Sequence, residues 1–230
     1  LLRVAANGGR PIHVLEDDVV VGDLTAAAVS AVISNRVLDE FDIVFLETYI
    51  GRDVQHLRRW RVLLEEARAR AWPIERADQL QVLDITGSYL FGTTSYLAQP
   101  SGIKRLVSVL DEEWRRGPAV PLDAAIQKAA RARRLRIGCL FPFVTSLDLH
   151  LNSVSEAGRA EHTDDVLVQS FLRYSFYVGA DIGGVVLPAI RHLMADRFGA
   201  PDSVAELHAD VLQYYLRRRE RDPTPPASPD

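Results

Sequence analysis

Cysteine is all but missing from this 230-residue chain: Cys139 stands alone. That excludes an internal disulfide and any cysteine-based zinc site. Its setting, an apolar run over residues 137–143, points to a buried, inert thiol rather than a nucleophile. Lysine is nearly absent too. Lys104 and Lys128 are the only two, and arginine supplies the rest of the 27 basic residues. Against 31 acidic residues the net charge is −4, which leaves no electrostatic footprint for nucleic acid. Long hydrophobic runs are missing as well. The longest weakly polar stretch, residues 177–190, is broken by Asp181 and Pro188, so no bilayer span or signal peptide is expected. A cytoplasmic protein follows, one that can at most sit against the inner face of a membrane. Methionine does not open the chain. Residues 1–10 read instead as the end of a helix with a glycine stop at Gly8 and Gly9, and an N-terminal part of the domain is expected to precede them.

What is present is ordinary for a globular protein: 47% apolar and 25% charged residues, enough for one sizeable core. The chain is organised around residues 11–21, Pro-Ile-His-Val-Leu-Glu-Asp-Asp-Val-Val-Val. A β-prone run (Ile12, Val14, Leu15) enters three consecutive carboxylates, Glu16, Asp17 and Asp18, and resumes as Val19, Val20 and Val21. Adjacent like charges repel, and a bound cation relieves the repulsion. In open α/β sheets ligands sit beyond the carboxyl ends of strands. Hard oxygen ligands suit Mg²⁺ or Mn²⁺, which bridge to substrate phosphates. The same run also reads as a solvated strand-to-loop junction with no chemistry.

Downstream, Asp23 is placed to cap a helix from Leu24 to about Leu38. Residues 42–47, Asp-Ile-Val-Phe-Leu-Glu, read as a buried strand. Asp53 can cap a long amphipathic helix over residues 54–71, with Leu57, Trp60, Leu63, Leu64 and Ala67 on its apolar stripe. Residues 81–86 alternate as a strand does. Residues 87–100 interleave small and hydroxyl side chains with Tyr89, Phe91 and Tyr96. Pro100 then opens a helix to about Trp114, which Gly117-Pro118 stops. A second amphipathic helix is expected over residues 124–134 and an apolar strand over 135–141, with a weaker helical pattern over 142–199. Residues 203–219 suit a final helix, and residues 217–230, charged and then Pro/Ser-rich, lack apolar anchors. Short apolar strands alternating with amphipathic helices predict an α/β fold with a mostly parallel central sheet. The expected division is a core over residues 1–150, a helical C-terminal extension over 151–216 and a disordered tail over 217–230.

Three segments carry a family likeness. The first is Val14-Leu15-Glu16-Asp17-Asp18-Val19, and the second is Gly92-Thr93-Thr94-Ser95-Tyr96-Leu97 leading to Gly102, Leu106 and Val107. The third is Val120-Pro121-Leu122-Asp123, followed by a strand ending at Phe141-Pro142. Taken in this order they resemble glycosyltransferase family 25, the lipopolysaccharide-biosynthesis and collagen-galactosyltransferase type. The first is similar to its acidic metal motif, the second to its Gly-Thr-x-Ala-Tyr-Leu segment, and the third to its Pro-Val-Asp segment before a helix. The resemblance covers about residues 10–150. It implies a GT-A-like nucleotide-sugar fold whose opening nucleotide-binding strand has no counterpart ahead of Glu16. It also implies transfer of a hexose, galactose or glucose, from a UDP-sugar to a glycan, lipid-linked or lipopolysaccharide-type acceptor. Such transfer depends on Mn²⁺ or Mg²⁺ and inverts the anomeric carbon.

On that resemblance Asp18 and Asp17 are the expected metal ligands, and Glu16, Asp17, Thr93 and Tyr96 the expected donor-binding residues. Adjacent side chains of an extended strand point to opposite faces, so the three acids can share one ion only if the strand ends there. The attacking hydroxyl needs a base, and Asp123 is the candidate; its other reading is a helix N-cap. Thr93 and Tyr96 suit a sugar pocket, or else turn chemistry and core packing. His13 is expected to be packed within its strand, and His150 is a remoter candidate ligand. Two other functions stand beside the transferase. One is a truncated or catalytically silent relative acting as a structural or interaction module; the other is a metal-dependent hydrolase using the same acids.

Overall fold

The computed structural model describes residues 2–50, 59, 60, 62, 80–117, 120–147, 173, 174, 176–178 and 180. A short helix, α1 (Leu2–Asn7), comes first, then strands β1 (Ile12–Leu15) and β2 (Val19–Val21) with Asp17 and Asp18 in the turn between them. Helix α2 (Thr25–Ser34) and a single 3₁₀ turn (Val37–Asp39) lead to β3 (Ile43–Phe45). Strands β4 (Gln81–Asp84) and β5 (Ser95–Ala98) precede helices α3 (Pro100–Arg116) and α4 (Leu122–Arg131), and β6 (Ile137–Phe141) and β7 (Thr145–Leu147) follow.

Five strands form one sheet in the order β1-β5-β3-β6-β4, and β2 pairs with β7 in a separate ribbon. The α/β class is as expected, but the sheet is mixed rather than mostly parallel. Only β3 and β6 run parallel, while β1/β5, β5/β3 and β6/β4 are antiparallel. Strand β5 is the main cause. It lies between β1 and β3 and opposes both, yet Ser-Tyr-Leu-Ala contains no β-branched residue, so its strand character is weak in the sequence. Alternation of strands and helices argues for parallel crossovers only when no such strand intervenes. Strand β7 is a second correction, because residues 145–147 fall in the segment expected to be weakly helical. They pair with the valines of β2 instead.

Because β5 opposes β1 and β3 alike, β1, β3 and β6 share one direction, and their carboxyl ends meet at one edge of the sheet. Side chains alternate between two layers. Ile43, Phe45, Leu83, Tyr96, Ala98, Ile137 and Cys139 face α1, α3 and α4, where Ile103, Leu106, Val109, Ile126 and Ala129 complete the packing. Val44, Leu46, Val82, Leu97 and Leu140 face α2 and the 3₁₀ turn, meeting Ala28, Val32, Leu38 and Phe41. Asp23 does not cap α2: Leu24 occupies the N-cap without a side-chain bond. Instead Thr25 N donates to Gly22 O, and the Thr25 hydroxyl donates to Val144 O at 2.6 Å. Of the helix expected over residues 54–71, Arg59, Trp60 and Val62 are helical, and the rest lies outside the described residues. So do the helix expected over 203–219 and the tail. No helix among the described residues is long and apolar enough to cross a membrane.

The β3/β6 pairing starts from Asp42. Its buried carboxylate takes the Arg105 guanidinium on one oxygen and the Arg136 amide on the other, the latter at 2.8 Å. Helix α3 crosses so close above it that a Cβ at Gly102 would collide with the Asp42 backbone carbonyl. Alanine at Gly102 is therefore expected to destabilise the fold by about 1–3 kcal/mol, read as a drop in urea midpoint. Gly87→Ala, where a methyl meets nothing within 4 Å, should stay within about 0.5 kcal/mol. Equal effects at the two glycines would show that the close approach of α3 is not a constraint.

Candidate functional site

The candidate site forms where β1 ends. Its ladder with β5 continues one bond past Leu15, from Glu16 N to Thr94 O at 2.8 Å. Residues two apart on a strand share a face, so Glu16 follows Ile12 and Val14 to the side of α3 and α4. Tyr96 lies on that side too, since it pairs with Val14 across the strands. The Thr93 hydroxyl donates to Glu16 Oε1 at 2.6 Å. Two tyrosine rings back this corner against Phe45: Tyr89 stacks on it at 4.9 Å, and Tyr96 tilts against it at 5.6 Å.

Helix α4 closes the site from the other side. Gln127 Nε2 donates to Leu90 O at 2.9 Å, which ties the helix to the loop carrying Tyr89. Asp123 sits in the first turn, where the helix dipole favours a negative charge. It is not the N-cap; Pro121 is. Asp123 Oδ1 accepts from Ala124 N at 2.7 Å, and its other oxygen has no partner among the described residues. Electrostatics tie the two acids to one place. Burial pushes the Tyr89 phenol up, Asp123 is the next largest influence, and Glu16 adds to it. Burial and then Glu16 push Tyr96 up to about 12. Glu16 and Asp123 thus both act on the Tyr89 phenol, and Glu16 on Tyr96 as well.

The other two acids part company with Glu16. Asp17 is exposed in the turn, while Asp18 is half-buried and its Oδ1 is enclosed without a hydrogen-bond partner among the described residues. No group of three or more His, Cys, Asp or Glu side chains gathers to hold a metal among the described residues. A Mg²⁺ or Mn²⁺ ion that shares its coordination with a diphosphate needs only one or two carboxylates, and the partnerless oxygen of Asp18 fits that demand. His13 is packed as expected. Its Nε2 hydrogen-bonds Ser95 Oγ at 3.1 Å, and burial lowers its pKa. Cys139 is fully buried in β6, and burial raises its thiol well above the usual range. His150 lies outside the described residues.

Arg173 and Glu47 escaped the sequence reading. Glu47, just beyond β3, is a fully buried carboxylate. Arg173 reaches it with Nε at 3.1 Å and with Nη2, and Nη2 also donates to Thr94 Oγ1 at 3.0 Å. Phe176 and Val178, just beyond it, are held there by the backbone: Phe143 N donates to Phe176 O and Val178 N to Phe143 O, both at 2.8 Å. The pair lies directly under the 92–94 loop, whose Gly92 adopts φ +100° beside Arg173. An acid closing the apolar run of β3 was the one available signal. Arg173 had none, since Phe-Leu-Arg-Tyr reads like any helical segment.

Removing one member strands the other as a buried charge. Arg173→Met is therefore expected to lower stability by about 3–5 kcal/mol in urea unfolding, and adding Glu47→Gln to recover at least half of that loss. A single-variant loss below about 1 kcal/mol would mean the pair is solvated in solution.

Compared with protein-family models, curated proteins and solved structures, the chain matches none of them.

Proposed function

We propose that this chain is a divalent-metal-dependent glycosyltransferase of the family 25 type, with a GT-A-like core. It moves a hexose from a UDP-sugar to a glycan or lipopolysaccharide-type acceptor with inversion. The observation that supports this reading is the pairing of Glu16 with Thr93 at the end of β1, with Glu16 and Asp123 both raising the Tyr89 phenol beyond the effect of its burial. In the adjoining turn, Asp18 offers a carboxylate oxygen without a partner among the described residues. An inverting transfer needs an anion-stabilising side and a base on the opposite side of the sugar. The described residues offer one candidate for each.

Asp18, with Asp17 beside it, would hold Mn²⁺ or Mg²⁺, which offsets the charge of the departing diphosphate. Asp123 receives the proton of the attacking hydroxyl on the oxygen that Ala124 leaves free. The α4–loop tie through Gln127 fixes the helix that carries Asp123 against the loop at Leu90, and positioning of a base can lower a barrier by several kcal/mol. Thr93 holds Glu16 by one oxygen and leaves the other available to the donor.

Isothermal titration of the full chain with UDP, with and without Mn²⁺, tests the reading: binding is expected only with the metal. Asp18→Ala should abolish the metal-linked part of that binding. Asp123→Asn should keep binding and lower turnover by about 10²–10⁴-fold. If both variants transfer sugar normally, the assignment of these residues is wrong. A second reading, a catalytically silent interaction module, draws on the exposure of Leu15, Val20 and Val21 around the acidic turn. It predicts a folded chain indifferent to UDP and Mn²⁺.

A further inference from the structure

Glu47 and Arg173 form a buried ion pair that the chemistry above does not use. Burying two charges costs desolvation, and well-packed apolar side chains serve stability as well. The guanidinium does more than neutralise Glu47, however. Its Nε and Nη2 both reach the carboxylate. Nη2 carries two hydrogens, and it also donates to Thr94 Oγ1 at 3.0 Å. Thr94 is itself buried. A hydrogen bond from a charged donor is roughly twice as strong as a neutral one, so this hold on Thr94 is a firm one.

Thr94 makes a second bond, on its other side: its carbonyl accepts from Glu16 N at 2.8 Å. Thr94 precedes β5, which begins at Ser95, so the strand does not by itself aim that carbonyl. The loop leading to it passes through Gly92 at φ +100°, and glycine permits such a conformation without enforcing it. Ahead of Thr93 the loop is held at Phe91 O by Thr48 Oγ1 at 3.1 Å and Tyr49 N at 3.2 Å, and at Gly92 O by the Tyr89 hydroxyl at 3.0 Å. After Thr93, Arg173 is the group among the described residues that holds Thr94 by its side chain. Thr93, which donates to the Glu16 carboxylate at 2.6 Å, sits between these two anchors.

We propose that Arg173 is a positioning residue of the donor site: through the Thr94 hydroxyl it sets the loop that holds Glu16 by both its amide and its carboxylate. The planar fork gives that hold a direction, and Glu47 fixes the fork. The effect on the donor runs through Thr94 and Glu16. This inference rests on the glycosyl-transfer reading above and adds to it a residue that stands behind the site.

Thr94→Val deletes the hydroxyl and leaves the Arg173–Glu47 pair whole. Thr94→Ser keeps a hydroxyl. Arg173→Lys keeps a charge against Glu47 but has no fork with which to reach Thr94 as well, and it leaves the loop sequence untouched. On the full chain, measure amide exchange at Glu16, titrate UDP-glucose and UDP-galactose in Mn²⁺, and follow urea unfolding. In Thr94→Val the Glu16 amide should exchange about tenfold faster, and the UDP-hexose that wild type binds should bind about tenfold more weakly. Its urea midpoint should stay close to that of Thr94→Ser. Thr94→Ser should remain within about twofold of wild type in both readouts, and Arg173→Lys should follow Thr94→Val. Unchanged Glu16 exchange in Thr94→Val and Arg173→Lys overturns the proposal. So does faster exchange with unchanged UDP-hexose affinity, which makes the ion pair structural alone. A loss in Thr94→Ser as large as in Thr94→Val overturns it too, because the hydroxyl then plays no part. All three leave the transferase reading intact. A wild type that binds neither UDP-hexose defeats that reading, and the donor-positioning role of Arg173 with it.

Discussion

Strand β5 hydrogen-bonds to β1 on one side and to β3 on the other, and its ladder with β1 runs one bond beyond Leu15 to Glu16. That last bond sorts the acidic triplet. With Glu16 still in register, its side chain joins Val14 and Tyr96 on the helical side, and the chain leaves the sheet at Asp17 and Asp18. A slip of one residue would send Glu16 to the α2 side and place Tyr96 opposite the wrong neighbour. Backbone pairing therefore decides the chemistry of this corner before any side-chain contact does. The rest of the fold keeps that pairing in place: α2 covers one face, α3 and α4 the other, and Asp42 fixes the start of β3 against β6.

Beneath the corner lies an ion pair that hydrophobic packing alone does not explain. Well-packed apolar residues could replace Glu47 and Arg173 without loss of stability. What an apolar pair could not do is hold Thr94 by its hydroxyl next to the bond that keeps Glu16 in the ladder. The guanidinium fork is planar and fixed in direction, so Arg173 sets the 92–94 loop at one height over β3. Loops positioned by a rigid scaffold are where binding residues concentrate. Here the scaffold includes Phe176 and Val178, which dock on Phe143 by two backbone bonds.

Much of the framework was legible because apolar periodicity reports burial. The strand at residues 42–47, the strand ending at Phe141 and the helices opened by Pro100 and near Asp123 all appear close to where the pattern puts them. What escaped was whatever depends on pairing partners. Strand β5 has no β-branched residue to announce it, and β7 is three residues long and gains its identity from β2. The sheet's mixed directions followed from missing β5. At the site, Glu16, Thr93, Tyr96 and Asp123 were each visible as residue types. That Thr93 holds Glu16 rather than Asp17 or Asp18 was not, because it depends on where the β1 ladder stops. Arg173 was invisible for the plainest reason: its partner Glu47 lies 126 positions away.

The three acids, alike in sequence, are held differently. Glu16 is exposed, accepts from the Thr93 hydroxyl and raises the two phenols Tyr89 and Tyr96. Asp17 is open to water, where a carboxylate is adequately solvated and has no need of a partner. Asp18 alone has an oxygen shut away from both water and donors, a state that a hard cation relieves and a neutral ligand does not. That one shut-away oxygen in the turn after β1, with Asp123 on α4 offering a second carboxylate oxygen, is what underlies our proposal of a metal-assisted transfer from a nucleotide sugar.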